Sequence, residues 1–347
     1  MRRPITAALL LPACCLVLAL GLQQRPMFRT GTDAVRVHVL VSDRGRPVPG
    51  LAATDFELLD NGVRQTVQLV ESGTAPLIVS LVFDTSESVA GERLRYLISA
   101  TSALLDTLER RDRVALIVFD NSVRTLIPDT SDLDAVRRAL AGVTAGGRTS
   151  LNDAAYAGLI GGQPEEGRRL VVLFSDGADN QSWLSRDAVL RAAGRTEAVV
   201  YGVSLRDRLA SQGAEVVRSL IEALPAATGG QLLRADADRD LEPLFLRVVS
   251  EFRHRYWLAY LPTGVRTGDG WHTISVRTRD RRTKVTARPG YFSPAGGCKP
   301  QRPRTPGSDR HSRDRSAGQK SFHVPGRFGA DSLDAGAAPS IRRAEEF

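Results

Sequence analysis

Apolar and polar positions alternate from Val35 to Val41 (VRVHVLV), with Arg36 and His38 facing one way and Val35, Val37, Val39 and Val41 the other. This period of two predicts a half-buried β-strand. After the turn-rich stretch SDRGRPVPG, the run FELLDNGVRQTVQLVE reads as two strands joined through Asp60-Asn61-Gly62. Asn-Gly supplies the positive-φ residues that a tight hairpin needs. At Leu77 the alternation stops, and LIVSLVF is apolar throughout, as expected of a strand covered on both faces in a parallel sheet.

From there strand and helix patterns alternate. GERLRYLISATSALLDTLERRDR places Leu94, Leu97, Ile98, Leu104, Leu105 and Leu108 near a 3.6-residue period and predicts a helix of four to five turns. Strands follow at 114–119 and 123–127, then helix SDLDAVRRALAGV, the loop TAGGRT, helix SLNDAAYAGLI and strand LVVLF (170–174). Helix SRDAVLRAAG, strand AVVYGVSL, helix EVVRSLIEALPAA, strand GQLLR and helix LEPLFLRVVSEFRHR complete the series. Such alternation predicts a doubly wound α/β domain over 76–254 with a mostly parallel six-stranded sheet. The link Asp120-Asn121-Ser122 is long enough only for a hairpin, so one edge strand runs antiparallel. After residue 255 the β pattern returns in RYWLAYLP, WHTISVRTRD and TKVTARPGYF. The segments 33–72 and 255–293 each hold too few strands to stand alone, and together they predict one flanking antiparallel β-sandwich into which the α/β domain is inserted. In a short strand Tyr256, Trp257 and Tyr260 read as core.

Charge changes the picture only once it is located. The 347 residues carry a formal +8, which taken whole suggests a nucleic-acid partner. Residues 1–28 carry +3, residues 294–347 carry +4, and the 265 residues between are at +1, so the folded body has no nucleic-acid-binding balance. Met-Arg-Arg, the apolar run Ile5–Leu22 and the polar QQRP have the layout of a secretory signal, with residues 5–22 also long enough for a membrane anchor. Export to periplasm, envelope or medium is the expectation, with cleavage, anchoring and lipidation at Cys14 left open. Residues 294–347, rich in Pro, Gly, Ser and charge, are expected to be a disordered basic tail. The cysteines are Cys14, Cys15 and Cys298, so no disulfide and no thiolate metal site is available between them.

Ligands of open α/β sheets sit at the carboxyl ends of the strands. There the chain offers Asp84-Thr85-Ser86-Glu87-Ser88, Gly146-Gly147-Arg148-Thr149 and Ser175-Asp176-Gly177-Ala178-Asp179. Two carboxylates beside a dry sheet repel each other and call for a cation. With hydroxyls as the remaining donors, a hard divalent ion fits: Mg2+, or Mn2+ or Ca2+, with a position left for water or an outside carboxylate. The plainer reading is that Asp84, Ser86 and Ser88 cap the next helix.

These motifs in this fold order, DTSES, GGRTS and FSDG, resemble the von Willebrand factor type A domain with its metal-ion-dependent adhesion site. The flanks RGRPVPGLAATDFELLDNGVRQTV and FRHRYWLAYLPTG through ARPGYF resemble the Acidobacteria-type branch of such proteins. The resemblance implies that Ser86, Ser88 and Thr149 ligate the ion directly or nearly so, and that Asp84 and Asp176 do so directly or through water. It also implies a non-enzymatic role, binding a protein whose exposed Asp or Glu completes the metal. Glu87 stands where the pattern commonly has Gly, and Arg148 is available to pair with Glu87 or with a partner's carboxylate. Asp153 and Asp179 are expected to support loops.

Enzyme readings find little machinery. There is no GxxxxGK[ST] and no GxGxxG after the first strand of the α/β stretch, and His38, His254 and His272 lie on none of its strand-end loops. Two rival functions stay open on the sequence: a structural envelope module whose metal only ties loops together, and a Mg-dependent hydrolase acting through Asp84 and Asp176.

Overall fold

The computed structural model describes residues 34–293 except 74, 162–166, 177–178, 206–218 and 266–269. The expected leader (1–28) and tail (294–347) lie outside the described residues, as does the start of the helix expected from residue 215. Among the described residues no helix is long and apolar enough to cross a membrane.

Five strands come first: β1 (Val35–Asp43), β2 (Arg46–Pro47), β3 (Phe56–Asp60), β4 (Val63–Gln65) and β5 (Leu69–Ser72). The α/β stretch runs β6 (Leu77–Asp84), α1 (Glu92–Asp106), β7 (Arg113–Phe119), β8 (Val123–Thr130), α2 (Leu133–Ala141), α3 (Leu151–Ile160), β9 (Arg168–Phe174), α4 (Arg186–Ala193), β10 (Val199–Leu205), α5 (Leu220–Thr228), β11 (Leu232–Ala235) and α6 (Leu241–Arg253). β12 (Tyr256–Tyr260), β13 (Gly270–Thr278), β14 (Lys284–Ala287) and β15 (Gly290–Ser293) follow.

β6 is buried at every position because it lies inside a six-stranded mixed sheet of order β11-β10-β9-β6-β7-β8. Only β8 runs antiparallel to its neighbour, across the three-residue link. One face packs against α1, α2 and α6, with Phe83 stacked on Phe245 at 5.7 Å. The other face packs against α3, α4 and α5. Each fully buried Leu, Val or Phe contributes roughly 1.5–3 kcal/mol, so these two layers fix the sheet rigidly beneath its strand-end loops.

The flanking strands form two antiparallel sheets, β14-β1-β12-β5 with β2 beside β1, and β15-β13-β3-β4. β1, from before the α/β stretch, lies between β12 and β14 from after it, and β3 pairs with β13. Both sheets line one core containing Val37, Val39, Leu58, Tyr256, Leu258 and Ile274. Asn61 and Gly62 have φ of 46° and 81°, as a tight β3–β4 turn requires. Two runs each expected as one strand are two. After Gln65 the chain leaves β3, and β5 joins β12 in the other sheet. At Arg288-Pro289 it crosses from β1 to β13, where Pro289 has no N–H to continue a ladder.

β1 also departs from the half-buried expectation, since residues 37–41 are buried on both faces. The second face lies against α6, where His38 stacks on Trp257 and approaches Phe252 at 5.4 Å. Three buried arginines cross this seam to carbonyls or a phenol. Arg168 donates to the carbonyls of Phe252 (2.6 Å), Arg253 (3.1 Å) and Arg255 (2.8 Å) at the end of α6. Arg288 donates to those of Ala193, Gly194 and Thr196 at the end of α4, and Arg255 to the Tyr201 hydroxyl. Cations belong at helix carboxyl ends, where carbonyls are left unpaired.

Burial, then the charges of Arg168, Arg255 and Arg288, hold the His38 imidazole well below its ordinary pKa. His38 is therefore neutral in the fold, while the unfolded chain takes up its proton near pH 6.5. The unfolded state binds more protons between the two values, so stability is full above pH 6.5 and falls as pH drops below it, by about 1.4 kcal/mol per unit for one group. Urea denaturation at neutral and mildly acidic pH should show this slope reduced in His38→Phe, which keeps the stacked ring.

Candidate functional site at the strand ends

β6 ends at Asp84, which is fully buried. Its Oδ1 accepts the Ser86 backbone N–H (2.9 Å) and its Oδ2 the Ser175 hydroxyl (2.6 Å), joining the β6 and β9 loops. Burial raises the Asp84 pKa above the ordinary carboxyl value, and the neighbouring Asp176 adds to this, against the hydrogen bonds from Ser175 and Ser86. Ser86 Oγ lies 3.1 Å from Ser88 Oγ, which donates to Asp176 Oδ1 at 2.6 Å. Asp84, Ser86, Ser88 and Asp176 are thus linked into one cluster of oxygens. None of them caps α1: Gly91 holds that position, and Ser86 precedes a single 3₁₀ turn without a side-chain cap bond.

Thr149 enters through its loop. The Gly146 N–H donates to the Thr85 carbonyl (2.8 Å), the Glu87 N–H to the Gly147 carbonyl (3.1 Å), and Thr149 itself is buried. Among the described residues its hydroxyl makes no hydrogen bond to the other four. Gly147 has φ +82°, and a Cβ there would meet the Asn121 side chain at 2.8 Å, so this tight approach needs glycine. Asn121 Oδ1 in turn accepts the Arg148 N–H (2.8 Å), fastening the loop to the β7–β8 turn.

Asp153 accepts the N–H groups of Trp183 and Leu184, and Asp179 accepts Asn152 Nδ2 and the Ser182 hydroxyl, so both hold loops. Glu87 and Arg148 are exposed, and Arg148 reaches Gln181 Oε1 at 3.5 Å. One residue escapes the motif reading altogether. Arg93 Nη1 donates to Asp176 Oδ2 and to the Ser88 carbonyl (2.7 Å), and its Nε to Asp238 Oδ1 (2.9 Å). In the sequence it is one of several charges on the amphipathic helix, and nothing distinguishes it there.

Among the described residues no three His, Cys, Asp or Glu side chains converge as a metal-holding group. A cation here would rely on two carboxylates supplemented by hydroxyls, a donor set suited to a hard ion that keeps some water.

Residues 79–178, which include all five expected site residues, match the family model of the von Willebrand factor type A domain. No curated protein matches the chain. Among solved structures it is similar to a von Willebrand factor type A protein from Catenulispora acidiphila (11% identity, 77% of this chain and 75% of that one, TM-score 0.45). It is also similar to an aerotolerance-related membrane protein from Bacteroides fragilis (18%, 50% and 99%, TM-score 0.41). A third is proximal thread matrix protein 1 from the mussel byssus with a zinc-occupied MIDAS motif (17%, 55% and 48%, TM-score 0.44). Within its α/β stretch the chain carries a von Willebrand factor type A domain.

Proposed function

We propose that this protein is an exported, non-enzymatic adhesion module that binds a partner protein through a divalent cation. Asp84, Ser86, Ser88, Thr149 and Asp176 would hold the ion, and an Asp or Glu of the partner would complete it. The observation that carries this reading is the hydrogen-bonded cluster of Asp84, Ser86, Ser88 and Asp176 at the strand ends. Two carboxylates and two hydroxyls meet there beside a buried sheet. Of the two carboxylates Arg93 reaches Asp176, while Asp84 is held by an N–H and a hydroxyl, which leaves a call for further positive charge. The ion would supply a Lewis-acidic point of attachment for an outside carboxylate; the chain's residues would hold it and limit access of water. Magnesium is the expected ion, with Mn2+ or Ca2+ as alternatives.

The shared sheets of β1 with β12 and β3 with β13 favour an inserted arrangement, in which 33–72 and 255–293 are halves of one β-sandwich around the 76–254 domain. Membership of the Acidobacteria-type branch is part of this proposal and rests on the resemblance of the flanking sequence alone.

Magnesium titration by calorimetry, coupled to capture of partners from envelope extract, tests the reading. Asp84→Ala should lower magnesium affinity at least about 100-fold, since it removes a buried charged ligand, and should release the same partners that chelator releases. Retention of every partner in chelator, together with magnesium binding in the calorimetric titration, would favour a metal that merely ties the loops together.

A further inference from the structure

Arg93 extends from the first turn of α1 onto Asp176, a carboxylate that the proposed cation would need. Its side chain is four-fifths buried, that of Asp176 fully so, and both Asp176 oxygens are engaged, one by Ser88 Oγ and the other by Arg93 Nη1. Nη1 also bonds the Ser88 carbonyl, so the guanidinium is fixed at the motif's own backbone. Its Nε holds Asp238, in the turn that leads into α6.

We propose that Arg93 is a tethered competitor for the divalent ion, a monovalent cation built into the chain that neutralises Asp176 and sets how tightly the site binds metal. This rests on the reading of Asp84, Ser86, Ser88, Thr149 and Asp176 as metal donors. Three physical features support it. A guanidinium is always charged and pairs strongly with carboxylates, so it satisfies Asp176 in the absence of metal. A divalent ion beside it is repelled, and in a water-poor site that repulsion is weakly screened. Asp238 gives Arg93 a second anionic partner, so yielding Asp176 does not leave the guanidinium unpaired. The consequence is a site whose occupancy follows the free-ion concentration, and in which metal uptake shifts the balance of Arg93 from Asp176 towards Asp238.

The test is calorimetric titration of the folded full chain with MnCl2 and MgCl2, for the wild type, Arg93→Gln, Arg93→Lys and Asp84→Ala. Arg93→Gln should bind both ions at least about tenfold tighter than the wild type, because one positive charge next to the ion is gone. Arg93→Lys should fall between them, since it keeps the charge without the planar fork. A second readout is melting: in chelator Arg93→Gln should melt below the wild type, because Asp176 has lost its counter-charge, and manganese should raise its midpoint by more than it raises the wild type's. Wild-type binding with Arg93→Gln and Arg93→Lys no tighter would overturn the competitor role and leave the metal reading standing. Absence of binding in every chain, Asp84→Ala included, would overturn the metal reading and this inference together.

Discussion

Arg168→Met should lower the free energy of unfolding by about 3–5 kcal/mol, because it removes three hydrogen bonds made by one buried guanidinium and takes that donor from the Arg253 and Arg255 carbonyls, while the Phe252 carbonyl keeps the Arg255 N–H. Arg168 stands at the start of β9, 1% exposed, with its guanidinium 4.9 Å from the centre of the Phe252 ring. Methionine fills much of the volume and so separates lost hydrogen bonding from a cavity. Arg168→Lys should recover only part of the loss, since an ammonium is a point charge that cannot reproduce the fork across Phe252, Arg253 and Arg255. Urea denaturation with matched slopes measures both. The same residue joins β9 of the α/β domain to the segment leading into β12, so the loss should come with faster amide exchange in β12 than in β7. Exchange that rises equally in both strands would mean that the seam is not a separable joint.

How far the sequence alone reveals this fold depends on what each pattern reports. Continuous burial in LIVSLVF, the Asn61-Gly62 turn and the short Asp120–Ser122 link are local facts, and local physics decides them. Asp84 and Asp176 are legible for a related reason: each follows an apolar strand, and strand ends in such sheets gather at one edge. Alternation, by contrast, reports which face a residue occupies and says nothing of which sheet receives it. The switches at 66–68 and at Arg288-Pro289 therefore lie inside runs that look continuous. Burial of charge is hidden more deeply. Arg168 sits in a basic Arg168-Arg169 pair, Arg288 beside a proline and Arg93 among the charges of α1, and each reads as a solvated side chain. Their burial depends on carbonyls and carboxylates brought from distant parts of the chain, to which no local period points.

Asp60 is the sharpest case of this kind, and Asp60→Ala should cost about 3–5 kcal/mol. In the sequence it is the first residue of a turn; in the fold it is completely buried. Its Oδ2 accepts the hydroxyls of Tyr260 (2.8 Å) and Tyr291 (3.0 Å), and its Oδ1 faces His272 Nδ1 at 2.8 Å. One carboxylate thereby ties β3 to β12, β13 and β15, strands of both flanking sheets. Burial pushes both phenols above their ordinary pKa, with Tyr291 and Asp60 adding at Tyr260 and Asp60 at Tyr291. Tyr260→Phe and Tyr291→Phe each remove one hydrogen bond to a charged acceptor and should cost about 1.5–3 kcal/mol apiece. Because the two hydroxyls share one oxygen, the double variant should differ from the sum of the singles by more than about 0.5 kcal/mol. Additive losses would show that the two hydroxyls act independently of each other, and an Asp60→Ala chain that unfolds at the wild-type urea concentration would show that the two sheets are held by their apolar core alone. Absorbance titration supplies an independent check: in the folded wild type these two tyrosines should stay un-ionised at alkaline pH where exposed ones have titrated. In Asp60→Asn, with far-ultraviolet circular dichroism reading the fold in the same sample, both should ionise at lower pH, because the negative charge beside them is gone.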